Sequence, residues 1–167
     1  MHDELTEVDI KKMQEEIDYR VKNLRPKLLE EVKTARGFGD LSENFEYKAA
    51  KREKNRNDSR IRYLENMIKT AVVISGKSRS GEIGLFDTVE LFFEEEDETQ
   101  LIRIVTTLRQ DSLKGLISKE SPLGRAIMGR KAGDRVCVEV SETYRYYVVV
   151  RSVKKGNDDE SLPISTF

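Results

Sequence analysis

Apolar residues recur at Ile10, Met13, Ile17, Val21, Leu24, Leu28, Val32 and Ala35. Steps of three and four mark one buried face of a helix. Thr6 stands where an N-cap belongs, and Glu7 and Asp9 fall in the first turn, where the helix dipole favours acids. Glu7–Lys11, Glu16–Arg20 and Asp18–Lys22 form i,i+4 pairs on the wet side. Pro26 interrupts the series and predicts a kink, since it has no N–H and crowds the preceding turn. The apolar phase resumes beyond it, so the helix is expected to continue to Arg36. A second series, Tyr47, Ala50, Lys54, Asn57, Ile61, Leu64, Ile68 and Ala71, has the three–four spacing of a coiled-coil seam, with Lys54 and Asn57 as polar members that fix register. Between the two, Gly37-Phe38-Gly39 stops the first helix and turns the chain back. The prediction is an antiparallel hairpin whose arm reaches roughly 40 Å.

Beyond Ala71 the period shortens towards two. Gly76 to Gly81 reads as a linker. Thr88–Phe93 and Leu101–Val105 read as a strand pair around the acidic turn 94–98, with further strands at Leu116–Ser118, Val136–Val140 and Tyr144–Val153. Ser121-Pro122 with Gly129 punctuates one short helix. The pattern therefore predicts an α+β protein. An N-terminal antiparallel α-helical coiled-coil hairpin (1–75) is followed by a linker (76–81). A C-terminal domain (82–155) then forms an antiparallel β-sheet with one short helix, and a loose polar tail (156–167) ends the chain.

Composition sharpens this. Charged residues make up 37 % of 167, against a usual quarter or so, which suits a long solvated arm beside a small packed domain. The net charge of −1 excludes a general polyanion binder, so any nucleic-acid contact must be local. One Cys permits no internal disulfide, no apolar run approaches the roughly 20 residues of a membrane span, and no signal-peptide core opens the chain. A soluble cytoplasmic protein without membrane contact is expected. His2 carries no assigned role, and Cys137 reads as a packing residue.

Two stretches carry candidate chemistry. At the turn, Asp40, Glu43 and Glu46 cluster within seven residues. Asp40-x-x-Glu43 matches a capping box. It also matches a pair of carboxylates pointing outward, able to bind Mg²⁺ only where another macromolecule supplies further oxygens. On the second helix, Lys48, Arg52, Arg56 and Arg60 are spaced four apart, and Lys48 to Arg62 holds seven basic residues against two acidic ones. That stripe is either a solvated helix face or a phosphate-contacting track.

Gly39-Asp40-Leu41-Ser42-Glu43-Asn44, followed by Glu46-Tyr47 and Ala49-Ala50, resembles the tip of the bacterial Gre transcript cleavage factors. So do Leu5-Thr6, Arg25-Pro26, Arg62-Tyr63-Leu64-Glu65, Ile117-Ser118 and Ser121-Pro122-Leu123-Gly124-Arg125-Ala126, and the resemblance extends to about Lys154. It implies a monomeric transcription elongation factor that binds RNA polymerase and is an accessory, not itself an enzyme. Its second domain, similar to the prolyl-isomerase (FKBP-like) fold, would dock at the β′ subunit on the rim of the secondary channel through Ser121, Pro122 and Arg125. Its finger would enter the channel. Asp40 and Glu43 would be the catalytic, metal-assisting pair, sharing the Mg²⁺ of the polymerase active site, with no ion held tightly by the isolated protein. Ser42, Asn44 and Phe45 would position the tip, and Lys48, Lys51, Arg52, Arg56 and Arg60 would contact the 3′ end of the extruded RNA. Phe45 is bulkier than the small residue common there and could stack on a base or pack the tip. Gly37-Phe38 replaces a more usual polar pair, and the tail after Lys154 is longer than typical. The alternatives are a non-cleaving Gre-like channel regulator or inhibitor, and a generic coiled-coil adaptor. Prolyl isomerase activity is disfavoured by the absence of Trp and an aromatic content of 7 %.

Overall fold

The first apolar series forms α1 (Glu7–Tyr19) and α2 (Arg25–Arg36), joined without a break through a π-helical turn over Arg20–Leu24. The Arg25 amide donates to the Arg20 carbonyl five residues back. The wider turn sits immediately before Pro26, which has no N–H to give, and is how the helix continues past the proline. The second series forms α3 (Phe45–Thr70). The computed structural model describes residues 2–39, 43–76 and 79–166. Two compact units are present. Ile10–Ala71 is the hairpin, and the N-terminal residues through Asp9 group with Val72–Thr166 as the sheet body.

Within the hairpin, Leu28, Val32 and Ala35 are buried from α2, and Ile61 and Leu64 from α3. The polar seam members sit as the spacing required. Asn57 is buried and exchanges bonds with Arg20: Arg20 Nη1 donates to Asn57 Oδ1 at 2.9 Å, and Asn57 Nδ2 donates to the Arg20 carbonyl at 3.3 Å. Asn57 thereby anchors α3 to the π turn, which fixes the register of the two arms. Lys54 is half-buried and pairs with Asp58 at 3.3 Å.

In the body, β3 (Thr88–Phe93) and β4 (Glu98–Val105) form the expected hairpin around residues 94–97, where Asp97 takes a positive φ of 53°. With β5 (Leu116–Ser118), β6 (Arg135–Glu139) and β7 (Arg145–Lys154) they make one sheet in the order β5-β4-β3-β7-β6. The sheet is mixed and not wholly antiparallel as expected, because β5 runs parallel to β4. Two 3₁₀ turns, Thr107–Arg109 and Ser112–Lys114, lie in the connection that brings the chain back to start β5 beside Arg103. Alternate residues Val89 and Leu91, Ile102 and Ile104, Val136 and Val138, and Val148 and Val150 are buried, with Ile127 of α4 (Pro122–Ile127) in the same cluster. The remaining strands, β1 (Glu4–Leu5) and β2 (Val72–Val73), pair parallel as a separate ribbon.

The described part of the tail, expected to be loose, is instead tied down. Gly156 donates to Asp87 Oδ1 at 2.9 Å, Asp158 accepts from Thr6 and Arg109, and the Ser165 amide donates to the Leu108 carbonyl at 2.6 Å. Gly156 is obligatory: a Cβ there would stand 2.1 Å from the Phe86 carbonyl oxygen. No helix among the described residues is long and apolar enough to cross a membrane.

Candidate functional site

The hairpin's turn is built from the end of α2 and the start of α3. The Gly37 and Phe38 amides close α2 on the Thr34 and Ala35 carbonyls, both at 3.1 Å. Asn44, in extended conformation, caps α3: its Oδ1 accepts from the Tyr47 amide at 2.9 Å. Its Nδ2 donates to the Ala35 carbonyl at 2.6 Å. One buried side-chain amide therefore satisfies an orphan N–H of one helix and an end carbonyl of the other. The capping-box pattern placed the cap at Asp40 with Glu43 as its partner. The observed cap of α3 is Asn44, whose side chain serves both helices at once. Glu43 precedes the helix, makes no capping bond among the described residues, and is exposed. Asp40 and Ser42 lie outside the described residues.

Phe45, expected to help position the tip, is 81 % exposed, and a ring so far in water cannot brace a turn. Lys48 Nζ lies 5.8 Å from its ring centroid. Tyr47 is half-buried, with the Arg36 guanidinium at 5.6 Å and Lys51 Nζ at 6.0 Å from its ring centroid.

The basic stripe divides. Lys48, Lys51, Arg52 and Arg56 are exposed and, with Asn55 and Ser59, line one shallow groove on α3. Arg56 also approaches Glu53 at 3.9 Å. Arg60 does not belong to the stripe. It is 4 % exposed and donates to both oxygens of Glu16, Nε to Oε2 at 2.8 Å and Nη2 to Oε1 at 3.3 Å. The reason is helical geometry: each four-residue step overshoots one turn by about 40°, so three steps from Lys48 carry Arg60 round to the shoulder of the seam. Glu16 Oε2 also accepts from Arg20 Nε at 2.8 Å. Burial opposes ionisation of Glu16, but the hydrogen bonds from Arg60 and Arg20, with their charge, outweigh it and hold the carboxyl below its ordinary value.

In the body, Ser121 caps α4: its Oγ accepts from the Gly124 amide at 3.0 Å and donates to the Ser118 carbonyl at 2.7 Å. Gly124 admits this close turn, since a Cβ there would meet the Ser118 oxygen at 2.1 Å. The Ser121 hydroxyl is thus committed to holding the helix, Pro122 is half-buried, and of the three expected docking residues Arg125 is the most exposed.

Sequence reasoning missed one cluster altogether. Arg109, 1 % exposed, donates Nε to Asp9 at 2.6 Å and Nη1 to Asp158 at 2.5 Å and to the Asp159 carbonyl at 3.1 Å. Asp9 is itself buried and completes a reciprocal cap with Thr6, whose amide donates to Asp9 Oδ2 at 3.0 Å. Arg109 Nη2 has no hydrogen-bond partner among the described residues, and the guanidinium lies 5.3 Å from the Phe86 ring centroid. The partners are about 50 and 100 residues apart in sequence, and no local pattern signals such a meeting. Among the described residues, no three His, Cys, Asp or Glu side chains gather to hold a metal.

Comparison with known proteins gives two family matches. Residues 4–73 match the family described as "Transcription elongation factor, N-terminal", and residues 78–155 match "Transcription elongation factor, GreA/GreB, C-term". The transcription elongation factor GreA of Caldanaerobacter subterraneus subsp. tengcongensis is 40 % identical over 137 residues, covering 81 % of this chain and 87 % of that one. The GreA of Staphylococcus saprophyticus is 37 % identical over 153 residues, covering 90 % and 95 %. Among solved structures, GreA factor homolog 1 of Thermus thermophilus aligns over 93 % of this chain and 100 % of its own, at 23 % identity and a TM-score of 0.41.

Proposed function

The chain belongs to the GreA/GreB family of transcription elongation factors, and on that footing we propose that it stimulates RNA polymerase to cleave its own backtracked transcript. The hairpin enters the polymerase's secondary channel, the sheet body docks at the rim, and the tip delivers carboxylates to the extruded 3′ end of the RNA. The observation that carries this reading is Asn44. By capping α3 and holding the end of α2 at once, it takes the capping role at the start of α3 and leaves Glu43 exposed before the helix.

Mg²⁺ is a hard cation that takes oxygen ligands and keeps several waters. An exposed Glu43 fits it as a donor, and Asp40 is the second carboxylate in the sequence of the turn. Two acids supply only part of an octahedral shell, so the polymerase must provide the rest. Such an ion, when bound, activates a water and steadies the leaving oxygen. The protein's own part is to orient Glu43 and Asp40, hold them on a rigid base, and bring cations of α3 to the RNA phosphates. The protein is then an accessory and the polymerase remains the enzyme.

Stalled, backtracked elongation complexes test this directly. Wild-type protein is expected to shorten the RNA, while Asp40→Ala and Glu43→Ala bind polymerase and leave it intact. Variants that cleave like the wild type would remove the carboxylates from the mechanism. Slowed elongation without RNA shortening by the wild type would instead identify a non-cleaving channel regulator.

A further inference from the structure

Two phenylalanine rings stand in water on the hairpin: Phe38, 64 % exposed, and Phe45, 81 % exposed. Rings left in water forgo the stabilisation that burial would bring, so packing among the described residues gives no reason for either. Their surroundings are opposite in charge. Phe38 lines a groove with Glu30, Glu31 and Glu46, where Lys27 is the one cation among the described lining residues. Phe45 heads the basic face. Lys48, Arg52 and Arg56 follow it at three, seven and eleven residues, which places all four within about 80° of arc on the side of α3 facing away from the seam. An aromatic ring at the end of a cationic groove has the chemistry of a single-stranded nucleic-acid track, in which cations follow the phosphates and the ring stacks on a base.

We propose that Phe45 is a stacking platform for one base of single-stranded RNA, with Lys48 and Arg52 at the neighbouring phosphates. The proposal rests on the reading of the hairpin as an arm inserted beside extruded RNA, and adds to it a residue that acts on the RNA and not on the metal. It also adds a preference: the larger face of a purine stacks better than that of a pyrimidine. Phe38 is the internal control, nearly as exposed but set among acids.

Elongation complexes backtracked to place 5-iodouridine in the extruded RNA are irradiated with the full-length protein and the crosslinked peptide is identified. The crosslink is expected at Phe45; a crosslink at Phe38, or none, overturns the proposal. In parallel, cleavage is compared for Phe45→Ala, Phe45→Leu, Phe45→Trp and Phe38→Ala, on transcripts ending in purine or pyrimidine. Ala and Leu at position 45 are expected to slow cleavage roughly fivefold or more, the range of base–aromatic stacking, with the larger loss on purines. Phe45→Trp and Phe38→Ala are expected to match the wild type. A Phe45→Leu protein as active as the wild type would reduce the ring to a greasy contact and overturn stacking. Crosslinking needs no cleavage, so a protein that crosslinks at Phe45 but shortens no RNA upholds stacking while removing the cleavage reading.

Discussion

Arg60 in the hairpin and Arg109 in the sheet body are both almost wholly buried and both held by a carboxylate, yet their partners differ. Asp9 is sealed as completely as Arg109, whereas Glu16 keeps 23 % of its side chain in water. The difference follows from shape. Two helices side by side have a seam but no interior, so a charge placed there keeps part of its hydration. A five-stranded sheet with a helix in its core can close over an ion pair from every side. The hairpin is built for reach and register, with polar residues fixing how its arms align. The body encloses its charges deeply, where losing one partner leaves the rest buried with too few bonds.

The comparison breaks or sharpens under substitution. Asp9→Ala should have the largest effect, on the order of 4 kcal/mol, because it leaves Arg109 Nε without its acceptor and only Asp158 to balance the buried charge; urea unfolding followed by circular dichroism measures it. Next comes Glu43→Ala, expected on the proposed reading to lower stimulated cleavage on the order of 100-fold, with the melting temperature unchanged. Glu16→Ala should cost about 2 kcal/mol, less than Asp9→Ala, since water reaches the vacated site; an equal or larger loss would show the hairpin seam to be as closed as the body. The same residue sets an acid limit. Its carboxyl is held low in the folded protein, so its contribution is complete above the unfolded value near 4.3 and is lost as pH falls through the folded one. Glu16→Gln should flatten the stability–pH curve below about pH 4.3. Asn44→Ala should have the smallest effect on stability, about 1 kcal/mol, but a larger one on cleavage, because Glu43 loses the capped helix start that follows it. A cleavage loss no larger than the stability loss would deny Asn44 its positioning role.

What the sequence disclosed divides along the same line. Helical period reports neighbours three and four residues away, so both arms, the Pro26 continuation, the Asn57 seam position and the Ser121-Pro122 helix start were legible. Strand alternation likewise marked the buried valines of β6 and β7. Pairing between distant segments leaves no such trace. The parallel placement of β5, the Arg109–Asp9–Asp158 meeting and the anchored tail all depend on it. Arg60 misled for a different reason: equal spacing in sequence is not equal direction on a helix, and its neighbours Ile61 and Leu64 were the signal that its side had turned inward. Asn44 was singled out, but its two-helix role required knowing where Ala35 ends up.

The fit of Gly156 against the Phe86 carbonyl makes a single methyl group into a crowbar. Gly156→Ala would prise the strap that follows it from its seat without removing any charge, whereas Asp158→Ala would cut the ionic tether and leave the seat intact. Pairing the two separates shape from charge as the force that keeps the segment after β7 against the start of α1.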